Sequence, residues 1–249
     1  MSLDKSQIKA QLVFSGCGGL YNYELGIASI IQEKYDLSNV VISSSSAGGF
    51  PALLITLEMN IMDLFENWNI PFLKDVNTYF FGAIGIWNNI VRKWTLPKLQ
   101  KDAYIKAKNR LFCSLTEVSF TNKPHFTNHI ITDWKSNEDL FDGIMASAFI
   151  PIFDIGKLTD IYRDKRYIDG GITNNNPIPY PELNLELELQ VPTLIISSRM
   201  WKPINDGWFN SWYMFWCWSD ESWARKYFEM GRKDTLDNLD KLDKILDRK

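Results

Sequence analysis

Ser46 is the residue in this sequence best placed to act as a nucleophile. It lies in the run SSSAG at 44–48, between a β-branched stretch and an apolar one, with small residues on both sides. A strand-to-helix turn that exposes a serine hydroxyl needs such neighbours, because the turn is tight and its backbone strained. The usual pattern for that turn is GxSxG, and Ser44 stands where the first glycine would be. Taken alone, the run reads equally well as a serine-rich loop capping a helix.

A serine that attacks a carbonyl needs a base for its proton and donors for the oxygen that becomes negative. GCGG at 16–19 offers flexible backbone amides between a strand end and a helix start, where the helix dipole also favours an anion. The same run does not fit a dinucleotide loop, since Tyr21 occupies the sixth position of GxGxxG and no Walker lysine follows. The two histidines, His125 and His129, lie near a turn between strand-like runs and read as surface or strand polar residues. That leaves a carboxylate as the candidate base. Asp169 stands out in YIDGG, at a strand end and followed by two glycines. Desolvation there would raise its pKa and let it take the serine proton directly. By itself, the same residue reads as part of an ordinary Asp-Gly turn.

The elements that must hold these groups follow from the apolar spacing. Ala10–Ser15 and Val40–Ser43 read as short buried strands, each followed by a small-residue loop and a helical stretch. Repeated strand, tight loop and helix units imply an α/β fold, with a mostly parallel sheet and an active edge at the carboxyl ends of its strands. Residues 71–112 are expected to be helical. The segments 112–120 and 126–132 are expected to form a hairpin, 137–147 a helix, and 191–197 another core strand. From Asp220 to Lys249 the pattern fits an amphipathic helix with Leu236, Leu239, Leu242 and Leu246 on one face.

Composition narrows the classes of function. A length of 249 residues suits a single domain. A net charge of -3 and a pI near 5.5 give no basic footprint, so nucleic acid is not an expected partner. Cys17, Cys113 and Cys217 are scattered without metal spacing, and the N-terminal stretch has no apolar leader, which points to a reducing, cytoplasmic setting. No apolar run is long enough to cross a bilayer. Aromatics are abundant, with six tryptophans (201, 208, 212, 216, 218 and 223) in one stretch. That stretch and Phe72–Trp87 are candidates for contact with a lipid surface; packing in the core or against a partner protein is the other reading.

Taken together, GCGGLYNYELG, SSSSAGG and YIDGGITNNNPI resemble, in order and position, the motifs of patatin-like phospholipases, in the branch that holds adipose triglyceride lipase and adiponutrin. SLTEVSF, ASAFIPIF and FEMGRKDTLDNL are similar to that family's connecting and terminal segments. The resemblance implies a three-layer α/β/α sandwich forming one domain over 1–249. It also implies a Ser-Asp dyad at Ser46 and Asp169, with Gly16, Cys17 and Gly18 supplying oxyanion-hole amides. The implied activity is hydrolysis of phospholipid or acylglycerol esters through an acyl-enzyme at a membrane or lipid-droplet surface, without cofactor or metal. Two positions depart from the family pattern: Tyr21 replaces the last glycine of the first loop, and Ser44 the first glycine of the elbow. A catalytically silent lipid- or protein-binding module and acyl transfer to a lysolipid are the readings that compete with hydrolysis.

Overall fold

The computed structural model describes residues 4–79, 84–120, 123–151, 153–184, 191–201 and 221–249. Two strand, loop and helix units open the chain. Strand β1, Ala10–Phe14, is buried along its whole length and leads through the glycine loop into helix α1, Tyr21–Lys34. Strand β2, Val40–Ser45, is equally buried and turns through Ser46–Gly48 into helix α2, Gly49–Thr56. Pro51 falls in the first turn of α2, where its missing N–H would have had no partner within the helix.

The stretch expected to be helical forms several short helices. α3 is Ile61–Leu64, followed by a π-type turn at Phe65–Asn69, then α4, Ile70–Val76, α5, Trp87–Thr95, and α6, Ala103–Ala107. The hairpin is formed by β3, Leu111–Phe120, and β4, Pro124–Ile131. After it come helix α7, Asn137–Ser147, the paired strands β5, Asp160–Tyr162, and β6, Lys165–Ile168, and then β7, Thr193–Ile196.

These strands make one mixed seven-stranded sheet in the order β5-β6-β3-β2-β1-β7, with β4 also paired to β3. Strands β7, β1, β2 and β3 run parallel. Beyond β3 the sheet continues in antiparallel form through β4, β6 and β5. Helices flank the sheet, giving the expected three-layer α/β/α architecture. Its core is filled by large side chains with almost no exposure, among them Phe14, Tyr23, Trp134 and Phe141.

The C-terminal segment differs from its expected form. Its long helix ends at Leu236, and Leu239–Leu242 forms a separate short helix. Leu242 and Leu246 are buried, but Leu236 is 44% exposed. The face that packs inward is instead Ala224, Tyr227, Phe228, Gly231 and Thr235, with Phe228 stacked on Phe65 at 3.8 Å between ring centres. Small and aromatic residues carry this stripe, so a count of leucines misses it. The Cys17 and Cys113 side chains are buried.

Candidate active site

Strand register brings Ser46 and Asp169 together. Along one edge of β3, β2 arrives in parallel, and its last pair is Ser45 with Ser114. On the same edge, β6 arrives from the opposite direction, and its last pair is Ile168 with Thr116. Both strands therefore stop one residue short of the same place, opposite Leu115. The next residue of β2 is Ser46 and the next residue of β6 is Asp169. The Ser46 hydroxyl donates to Asp169 Oδ2 at 2.5 Å.

Each side chain is held by its own turn. Ser46 has φ of 52°, a left-handed conformation that a side chain resists and that recurs where a nucleophile is lifted out of a strand-to-helix turn. Its amide donates to Ser147 Oγ at 2.9 Å, and Ser147 Oγ donates in turn to the Ser114 carbonyl at 2.7 Å. Gly48 lets the elbow lie against β1, since a Cβ there would be 2.3 Å from the Ser15 carbonyl oxygen.

The Asp169 turn is equally constrained. The Asp169 amide donates to the Phe149 carbonyl at 3.0 Å, and Thr116 Oγ1 donates to the Asp169 carbonyl at 2.8 Å. Gly170 passes so close to β3 that a Cβ would fall 1.8 Å from the Ser114 carbonyl oxygen. The Gly171 amide donates to Asp169 Oδ1 at 2.8 Å, which leaves Oδ2 for Ser46. Burial pushes the Asp169 carboxyl up to about 6, against the hydrogen bonds from Ser46 and Gly171 that hold it down. At neutral pH the group is a carboxylate, able to accept a proton.

The glycine loop lies beside this pair: a Cβ on Gly16 would sit 3.0 Å from Ser46 Cβ. Of its amides, that of Gly16 is already committed, donating to Asn175 Oδ1 at 2.9 Å. Gly18 has φ of 53°, a conformation glycine adopts readily. Sequence reasoning gave no role to the residues that clamp this region. Asn175 holds Gly16, Asn176 Oδ1 accepts from the Ser15 hydroxyl at 2.6 Å, and Ser147 holds the Ser46 amide. The signal was the run NNN at 174–176, polar side chains directly after the aspartate turn.

Neither departure from the family pattern disturbs the backbone. Ser44 lies inside β2, in register with Phe14 and Cys113, and needs no left-handed conformation. Tyr21 starts α1 with φ of -54°, and its hydroxyl donates to Asn69 Oδ1 at 2.5 Å. The histidines lie apart from Ser46: His129 contacts Glu117 at 2.7 Å and His125 is exposed.

An apolar pocket of about 740 Å³, counting its open mouth, adjoins Ser46; Tyr21, Phe50, Trp68, Phe72, Trp87 and Phe153 are among its walls. Part of the aromatic stretch 72–87 thus lines this pocket, while its residues 80–83 and the tryptophans 208, 212, 216 and 218 lie outside the described residues. Beneath the glycine loop, Glu24 is fully buried on α1 and faces the Cys17 thiol; desolvation raises its carboxyl well above the usual range.

The patatin-like phospholipase family pattern matches residues 12–181. The chain is similar to patatin-like phospholipase domain-containing protein 4 of Homo sapiens, 30% identical over 173 residues, covering 67% of this chain and 66% of that protein. It is similar to patatin-like phospholipase domain-containing protein 2 of Bos taurus, 33% identical over 171 residues, covering 66% and 34%. It is also similar to 1-acylglycerol-3-phosphate O-acyltransferase Pnpla3 of Mus musculus, 24% identical over 173 residues, covering 67% and 40%. The matched stretch spans 34% to 66% of the length of these relatives. A family match that runs unbroken from β1 past the asparagines after Asp169 makes this chain a member of the patatin-like phospholipase family.

Proposed function

We propose that this chain is a lipid acyl hydrolase, a serine esterase acting on phospholipid or acylglycerol esters, with residues 1–249 working as one domain. The observation that carries this reading is the contact between Ser46 Oγ and Asp169 Oδ2 beside an apolar pocket. Asp169 takes the hydroxyl proton as Ser46 Oγ bonds to the ester carbonyl carbon, and the carbonyl oxygen gains the negative charge. The Cys17 and Gly18 amides are the donors offered to that oxygen, while Gly16, tied to Asn175, fixes the loop that presents them. Collapse of the intermediate passes the proton from Asp169 to the departing alcohol and leaves the acyl group on Ser46. Water, deprotonated by the same carboxylate, then releases the fatty acid and restores the hydroxyl. The acyl chain lies in the pocket lined by Phe50, Trp68 and Phe72.

Turnover of a short-chain nitrophenyl ester by purified protein tests this reading. Ser46→Ala is expected to abolish it, and activity that persists in the variant would refute the assignment. Acyl transfer is the second reading. The acyltransferase named among the relatives favours it, and the same acyl-enzyme can pass its acyl group to a lysolipid alcohol as well as to water. Product analysis with lysolipid acceptors separates the two. Among the described residues no helix is long and apolar enough to cross a membrane, so a substrate held in a lipid aggregate would be met at its surface.

A further inference from the structure

The loop between α7 and β5 carries a feature that ester chemistry does not use. The Asp154 carbonyl accepts from the Lys157 amide at 3.1 Å, and Gly156, third in this turn, has φ of 87°, as a type II turn requires. Among the described residues, nothing lies within 4 Å of the place where a side chain on Gly156 would begin. Turn tips in water favour Gly, Pro, Asn, Asp and Ser. This one carries Ile155 and Leu158, which are 76% and 79% exposed and are the most exposed large hydrophobic residues among those described. Between them is Lys157, exposed, with its ammonium 3.9 Å from the Asp154 carboxylate.

The same loop walls the pocket beside Ser46. Ile150 and Phe153 line that pocket, the Phe153 carbonyl accepts from the Gly85 amide at 2.7 Å, and the Phe153 ring lies 6.1 Å from that of Trp87. Ile155 packs over Gly85, with Cδ1 3.1 Å from where a Cβ there would sit. An exposed aliphatic tip is therefore braced on the pocket wall within a few residues of its lining.

We propose that the turn Ile155–Leu158 inserts into a lipid surface and sets the Ser46 pocket against it. Ile155 and Leu158 enter the acyl region, and Lys157, on its flexible stem, keeps its charge at the level of anionic headgroups. Two exposed aliphatic side chains with a lysine between them match the acyl region and the anionic headgroups of a lipid surface, which is the occupant this turn fits. Its purpose rests on the lipid-ester reading above, but its occupancy is tested separately.

The test is co-sedimentation with phosphatidylcholine vesicles, with and without phosphatidylserine, alongside turnover of a soluble nitrophenyl ester and a thermal melt. The double variant Ile155→Asp/Leu158→Asp is expected to bind vesicles roughly tenfold less or weaker still, with unchanged melting and soluble-ester turnover within about twofold of wild type. Lys157→Glu should weaken binding only where phosphatidylserine is present. Ile105→Asp serves as the control: it is 52% exposed on α6, which leads into β3 at Leu111, opposite Ile42 and away from the strand end that leads to Ser46, and its binding should not change. The proposal is overturned if wild-type protein does not bind vesicles, if the double variant binds as well as wild type, or if it loses soluble-ester turnover along with binding. If even wild-type protein turns over no ester, the hydrolase reading fails, while the vesicle comparison still decides the role of the turn.

Discussion

Asn175 accepts the Gly16 amide hydrogen at 2.9 Å and so joins the turn after Asp169 to the loop after β1. Asn176 adds a second tie one residue on, accepting from the Ser15 hydroxyl at 2.6 Å. The two loops belong to strands that are not neighbours in the sheet, and β2, which carries Ser46, runs between β1 and β3. Side chains therefore fix the spacing between the proposed base and the proposed oxyanion donors.

Asn175→Ala is expected to lower kcat by roughly 10- to 100-fold with little change in KM, because a loosened loop presents its amides poorly to the charge that develops in the transition state. Steady-state kinetics on a soluble ester checks this. A raised KM with kcat intact would place Asn175 in substrate binding instead.

The Asp169 carboxyl, pushed up to about 6 by burial, should govern the pH profile. Proton acceptance needs the carboxylate, so kcat/KM is expected to rise with pH through about 6 and level off above it. Stability should move the other way. A folded-state value raised above the ordinary 3.8 gives a contribution that is complete below that value and lost as pH rises through about 6. Asp169→Asn should therefore gain on wild type in thermal melts as pH increases across this range, by up to about 3 kcal/mol, less whatever the altered hydrogen bonds to Ser46 and Gly171 cost.

Ser44→Gly restores the usual elbow pattern, yet it should leave turnover within about twofold of wild type and reduce stability by about 1 kcal/mol, since Ser44 is an extended strand residue. Gly48→Ala should be far more damaging. Its Cβ would lie 2.3 Å from the Ser15 carbonyl oxygen, so the elbow must move off β1, and both activity and melting temperature should fall.

Much of this was legible in the sequence because the chemistry is local. Small neighbours at a strand end drew attention to Ser46, and two glycines to Asp169, but each had an ordinary reading until the three motifs were taken together; the need for those glycines shows in Gly170 against Ser114. The two opening strand, loop and helix units were legible for the same reason. What sequence could not give was the register that stops β2 and β6 opposite Leu115, because pairing partners distant in the chain leave no periodic trace. Asn175 and Ser147 were missed since their partners are backbone amides, which any residue carries. The C-terminal stripe was misread because Gly231 and Ala224 bury by close approach, whereas Leu236 remains exposed.

Glu24 supplies a check that is independent of ester chemistry. Its raised carboxyl value means that the folded state favours the neutral acid, so the stability it contributes is present at low pH and is lost as pH rises. The melting temperature of Glu24→Gln relative to wild type is expected to climb from acid to alkaline pH. A difference that stays flat with pH would show that Glu24 is not held neutral in the fold.

The pairing of Ser46 with Asp169 is tested most directly by mapping a fluorophosphonate adduct by mass spectrometry. The expected result is one adduct, on the peptide that carries Ser46, absent from Ser46→Ala and formed roughly 10²- to 10⁴-fold more slowly in Asp169→Asn. An adduct on another residue, or a labelling rate that Asp169→Asn leaves unchanged, would contradict a serine activated by an aspartate alone.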